Sequence, residues 1–141
     1  MKIIFRAALA GFLGLSAMNA LNAQAASIEK DPHSYAQPDQ VRVTALDLDL
    51  SVSFEKHVLS GAATLALGWH DKAARDLVLD TRDLAIAKVE SADAAGKWSE
   101  AKFTLDKPDA LLGSALHIAL AQQAAQVRIT YATNPDRKSV V

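Results

Sequence analysis

The chain has 141 residues, of which 50% are hydrophobic and 22% charged, a globular composition that fills one domain. A formal net charge of −1 leaves no broad basic field for nucleic acid. Cysteine is absent, which excludes disulfides, thiol catalysis and thiolate metal sites.

Lys2 and Arg6 open the chain with positive charge, residues 7–17 are apolar, and Ala23-Gln24-Ala25 is a small-x-small site of the kind a signal peptidase cuts. The apolar run is shorter than the ~20 residues a membrane span needs. Residues 1–25 are therefore expected to be a signal peptide, with an uncleaved anchor as the alternative. Cleavage leaves about 116 residues with a net charge of roughly −3 and no stable membrane span. The location expected is periplasmic or secreted, after bacterial export.

Residues 26–40 are polar, contain Pro32 and Pro38, and read as an extended lead-in. The first strong pattern is Leu46, Leu48, Leu50, Val52 and Phe54, with Asp47, Asp49, Ser51 and Ser53 between them. Strict alternation sets the large apolar groups on one strand face. Val41 and Val43 have the opposite parity, which predicts a bulge or bend near Thr44-Ala45. A short polar connection, Glu55-Lys56-His57-Val58, leads into a second alternating run at Leu59, Gly61, Ala63, Leu65, Leu67 and Trp69. The two runs predict a β-hairpin. Gly61 and its alanine neighbours leave room for close backbone approach.

Residues 70–76 are a polar link. Leu77-Val78-Leu79 is apolar at every position, as in a strand covered on both faces. Asp80, Thr81 and Asp83 can bond nearby backbone, which favours a corner, and Leu84, Ile86 and Val89 continue as a strand in a new direction. Residues 93–97 are turn chemistry, with Gly96 free to take positive φ. Phe103 and Leu105 alternate on the return. Residues 111–114 read as a loop with Leu111 and Leu112 as anchors. Leu116, Ile118 and Leu120 alternate, residues 122–125 read as a turn, and Val127, Ile129 and Tyr131 form the last strand. About eight strand segments predict an all-β, antiparallel, saddle-like or sandwich sheet. The alanine content favours helix, but the period of two outweighs it.

Chemistry-bearing residues are scattered. His33, His57, His70 and His117 have no close metal spacing. His70-Asp71 reads as a solvated loop, His57 as part of the hairpin turn, and His117 as a surface group opposite the apolar side. His33 is suited to packing or to pairing with Asp31. Ser114 follows Gly113 without a Gly-x-Ser-x-Gly elbow. Asp47 and Asp49 share a strand face about 7 Å apart by strand rise, a spacing that paired-carboxylate hydrolases use, but they read more simply as a solvated face. Asp80 and Asp83 read as backbone acceptors. Trp69, Trp98 and Tyr131 read as half-buried sheet aromatics, a shared binding face being the alternative.

Five stretches in order carry a resemblance: Asp31-Pro32-His33-Ser34-Tyr35, residues 46–50, residues 59–65, residues 77–84, and residues 112–116 followed by Ile129-Thr130-Tyr131-Ala132-Thr133-Asn134-Pro135. Together they resemble the N-terminal, saddle-shaped β-domain of the zinc aminopeptidases related to leukotriene hydrolase, over about residues 31–136. With the signal peptide at 1–25 and the lead-in at 26–40 read from the residues themselves, the resemblance implies a partial β-domain at 41–136, followed by a divergent tail at 137–141. It implies that the family's Gly-x-Met-Glu-Asn motif, His-Glu-x-x-His zinc helix and catalytic Tyr lie beyond this sequence. No catalytic, cofactor-binding or metal residue then carries over to any position here, and zinc belongs to the parent enzyme alone. The expected function is a non-catalytic N-terminal fragment of an exported zinc aminopeptidase. Its expected partner is the catalytic domain, with peptide substrate met only through that domain and no nucleic acid. The alternative is a stand-alone periplasmic β-sandwich that binds a protein or ligand. A carbohydrate-binding module rests on Trp69 and Trp98 alone.

Overall fold

The computed structural model describes residues 31–135. The expected signal peptide (1–25), residues 26–30 of the lead-in, residue 136 and the tail (137–141) lie outside them. Among the described residues the chain forms β1 (Val41–Ser53), β2 (Val58–Trp69), β3 (Asp76–Thr81), β4 (Leu84–Ala92), β5 (Trp98–Glu100), β6 (Lys102–Leu105), β7 (Ser114–Ala119) and β8 (Gln126–Thr133). They make a five-stranded sheet in the order β1-β2-β8-β4-β5 and a three-stranded sheet in the order β3-β7-β6. Every strand pair is antiparallel.

The predicted hairpin is β1–β2, paired from Val41↔Trp69 to Ser53↔Val58. Its register slips between Val43 and Ala45. Thr44 is the extra residue, and its hydroxyl donates to the Ala66 carbonyl at 3.2 Å. That bulge explains the change of parity. Gly61 lies opposite Leu50, at φ 153°. A Cβ built there would stand 2.0 Å from the Asp49 carbonyl oxygen, so the close approach expected is made by the partner strand's own backbone.

The corner after Leu79 is also present. β3 belongs to the small sheet and β4 to the large one, so the chain changes sheets between Thr81 and Leu84. Asp83 takes a left-handed φ of 54°, which a short polar side chain tolerates. Leu77 and Val78 are both buried, as an unbroken apolar run requires. Thr81 Oγ1 donates not to its neighbours but across the strand pair, to the Ser114 carbonyl at 2.9 Å.

The return after the turn at 93–97 differs from the single strand expected. β5 pairs with β4 in the large sheet, and β6 pairs with β7 in the small one. Buried Ala101 is the switch, its amide donating to the Val89 carbonyl at 2.9 Å. Alternation from Phe103 to Leu105 gave no signal for that change of sheet. Leu111 is not the anchor expected: it is exposed, because Asp109 Oδ1 accepts the Leu111 and Leu112 amides at 2.8 Å and holds the loop as a tight turn.

The core lies between the sheets. Leu77, Leu116 and Ile118 from the small sheet meet Val89, Val127 and Ile129 from the large one. Leu116, Ile118 and Val127 are completely buried. Each such side chain contributes about 2 kcal/mol through removal from water. β8 completes the fold by entering between β2 and β4, so its inward residues Val127 and Ile129 reach the middle of the core.

Gly61→Ala is expected to destabilise the domain by about 2 kcal/mol, since the partner backbone must move to admit a methyl group. Chemical denaturation measures this, and an unchanged midpoint would contradict the β1–β2 register.

Candidate functional site: an open apolar groove

The large sheet has five strands and the small one three, so one end of the large sheet is left uncovered. That end is the β1–β2 hairpin. Leu65 on β2 is buried, but its cross-strand neighbour Leu46 on β1 is 57% exposed. Leu48 is 50% exposed and Val52 53%. The alternation of β1 does put its large apolar groups on one face. That face points the same way as the core but extends past the layer that would cover it.

A groove of about 470 Å³ follows, open along one side. Its floor is Leu46, Leu48, Ala63, Ile129 and Tyr131 from the large sheet. Its inner wall is Leu79 and Leu116 from the small sheet, and Ala36 from the lead-in closes one end. Asp80 stands at the rim and fixes the lead-in there, accepting the Ser34 hydroxyl at 2.6 Å and the Tyr35 amide at 2.7 Å. Asp80 is thus a backbone acceptor, but for a segment 45 residues earlier and not for its own corner. No local pattern reports such a contact. A smaller apolar recess continues beyond Val52, along Phe54 and Leu59.

The polar candidates do not converge. Asp47 and Asp49 are exposed on β1, on the face opposite the groove. His57 sits in the hairpin turn at φ 52°, and His70 is exposed in the link. It is the His33 amide, not its ring, that donates to Asp31 Oδ1, at 2.8 Å. His117 lies on the outer face of the small sheet, with Nε2 3.1 Å from Asp106 Oδ2. Ser114 is buried at the start of β7. Among the described residues no group of three or more His, Cys, Asp or Glu could hold a metal ion. Those residues do not fit a zinc site.

The three aromatics do not share a face. Trp69 packs on the core and donates Nε1 to the Ala124 carbonyl at 2.7 Å. Tyr131 lines the groove. Trp98 lies on the outer side of the large sheet under the Arg128 guanidinium, 4.3 Å from the ring centroid. The carbohydrate platform of Trp69 and Trp98 therefore does not form.

Arg128 belongs to a charged cluster on that outer side. Its Nε and NH2 donate to Glu90 Oε2 at 3.1 and 3.0 Å, and Lys88 Nζ donates to Oε1 at 2.7 Å. Lys88 foremost, then Arg128, holds the Glu90 carboxyl below its ordinary 4.5. In the sequence Glu90 and Arg128 are 38 residues apart, and only the β4–β8 register brings them opposite each other.

No protein-family model matches the chain. Leukotriene A-4 hydrolase of Xenopus laevis is 30% identical over 90 residues, 64% of this chain and 14% of that protein. Leucine aminopeptidase 2-2 of Meyerozyma guilliermondii is 34% identical over 113 residues, 80% of this chain and 17% of that protein. The structure of yeast LTA4 hydrolase in complex with bestatin matches with a TM-score of 0.68 at 31% identity, over 79% of this chain and 17% of that one. The native Saccharomyces cerevisiae enzyme gives a TM-score of 0.67. The chain thus spans 14–17% of the length of the curated relatives it matches. Fold and sequence together define an antiparallel β-domain of the aminopeptidase type. Over that domain the chain belongs with the zinc aminopeptidases related to leukotriene A4 hydrolase, and corresponds to their N-terminal part.

Two outcomes follow from this geometry. Leu46→Ser with Leu48→Ser should shift the denaturation midpoint little while sharply reducing fluorescence of an apolar dye; a cooperative loss of fold would mean the groove is closed. Glu90→Gln should lower the melting temperature at pH 7. A depressed carboxyl stabilises the fold above its unfolded value near 4.5 and ceases to as pH falls through the lower folded value. The difference from the parent should therefore vanish in acid below that value; a constant difference would contradict the Lys88–Glu90–Arg128 pairing.

Proposed function

We propose that this chain is the non-catalytic N-terminal β-domain of an exported zinc aminopeptidase, one that packs on a catalytic domain able to remove N-terminal residues from peptides. The observation that carries the reading is the match of 79% of the chain to one part of yeast LTA4 hydrolase, at 31% identity and a TM-score of 0.68. The open groove supports it, since an apolar face beside a packed core suits a surface meant to be covered. Export is supported by the basic start, apolar run and small-x-small site of residues 1–25.

A second reading is a stand-alone periplasmic β-sandwich that binds a protein or ligand, and it draws on the same groove. Affinity capture from a periplasmic extract separates the two. Recovery of a polypeptide bearing a His-Glu-x-x-His zinc motif supports the first, and recovery of an identified protein without one supports the second.

The full chain, expressed in a bacterium and purified, is expected to carry less than stoichiometric zinc by mass spectrometry and not to hydrolyse leucine p-nitroanilide. Stoichiometric zinc with turnover would overturn the non-catalytic reading. The mature protein should begin at Ala26 and sit in the periplasmic fraction; retention of residues 1–25 in the cytoplasm would overturn export.

A further inference from the structure

β1 is the longest strand of the domain, at 13 residues, and it lies at the edge of the large sheet. Among the described residues only β2 pairs with it. Among the described residues its other side therefore presents a row of backbone donors and acceptors that an extended segment can pair with. Such edges are usually short, twisted or blocked. This one has its bulge near the start, at Thr44, which leaves nine residues from Ala45 to Ser53 in unbroken register.

The two faces flanking this edge differ in chemistry. On the groove side β1 presents Leu46, Leu48 and Val52, each at least half exposed. On the opposite side it presents Asp47 and Asp49, both exposed. An added strand places each of its side chains beside the β1 residue directly opposite, on the same face. Residues opposite Leu46, Leu48 and Leu50 would enter the groove. Residues opposite Asp47 and Asp49 would lie beside two carboxylates.

A second copy of this chain is a poor occupant in the register centred on Leu48. Antiparallel pairing of two β1 strands about Leu48 sets Asp47 of each opposite Asp49 of the other. Like charges in direct cross-strand pairs destabilise a sheet. The two aspartates thus disfavour that self-paired register, and they match a cationic strand.

We propose that the free edge of β1, with the groove beside it, takes an extended partner segment as an added strand, and that this segment alternates apolar and basic side chains. The apolar set lies along the open side of the groove against Leu46 and Leu48, and the basic set pairs with Asp47 and Asp49. This deepens the proposed function by giving the partner surface its chemistry, and it rests on that reading only for the existence of a partner.

The test uses amidated nine-residue peptides and the purified mature chain. A peptide alternating Val and Lys is expected to bind, read by fluorescence anisotropy, at least tenfold more tightly than one alternating Val and Glu. A peptide with the Val/Lys composition in two blocks should also bind at least tenfold more weakly. N-methylation of the backbone amides on one edge of the alternating peptide should abolish binding, because it removes the ladder and leaves the charges. Asp47→Lys with Asp49→Lys should invert the preference towards the Val/Glu peptide, with an unchanged melting temperature as the control for folding. Hydrogen exchange should show the β1 amides that point away from β2 unprotected in the free chain and slowed by the Val/Lys peptide.

Equal binding of the blocked and alternating peptides, no binding of either, or an N-methylated peptide that binds as well as its parent would each overturn the proposal. So would protection of those outward amides in the free chain, or dimerisation through β1, since the edge would then be taken already. None of these results touches the family assignment, and zinc-dependent turnover by the chain would leave the peptide result standing.

Discussion

The contact of Leu77, Leu116 and Ile118 with Val89, Val127 and Ile129 is what makes two sheets one body. Neither sheet is stable alone with one apolar face in water. The chain crosses between the two layers four times, after β2, β3, β5 and β7, and at the third crossing the connecting residue Ala101 is itself buried in the core. The final strand enters between β2 and β4 and so closes the core with residues distant in sequence. Loss of this packing would leave the β1–β2 hairpin as an isolated ribbon, which is marginal in water.

The open groove is a consequence of that arrangement and not a separate feature. Three strands cannot cover five. The small sheet sits over β8, β4 and the inner part of β2, where Leu65, Val127 and Ile129 are buried. Val41 at the start of β1 is still buried in the core, but beyond the bulge the same apolar face continues on β1 through Leu46, Leu48 and Val52 without a layer above it. Asp80 shapes the boundary by fixing the lead-in through Ser34 and Tyr35, which sets Ala36 at the end of the groove. The charged cluster of Lys88, Glu90, Arg128 and Trp98 faces the other way, as befits the outer side of the large sheet. The two sides of the large sheet thus divide their work, one for packing and one for water.

Much of this was legible in the sequence because it is local. Strict alternation located β1 and β2, the change of parity located the bulge at Thr44, and the polar break after Leu79 located the corner. The family resemblance was legible too, since five ordered stretches survive at about one residue in three. What escaped was set by contacts far along the chain. Alternation cannot tell a strand that stays in one sheet from one that changes sheets, so the split at Ala101 was invisible. Tyr35 lies 45 residues from Asp80 and Arg128 lies 38 from Glu90, and no periodicity points to either contact. The groove was half visible: the apolar face of β1 could be read, but not that the layer above it stops short. The apolar side chain of Leu111 predicts an anchor, but the residue is exposed because Asp109 orders the turn.

The central claim is that one continuous apolar face is buried at one end and open at the other. Methyl relaxation in the presence of a soluble gadolinium chelate measures this residue by residue in solution. The methyl groups of Leu46, Leu48 and Val52 should broaden strongly, while those of Leu116, Ile118 and Val127 should be unaffected. Uniform protection along the whole face would contradict the account, because the hairpin would then be covered already.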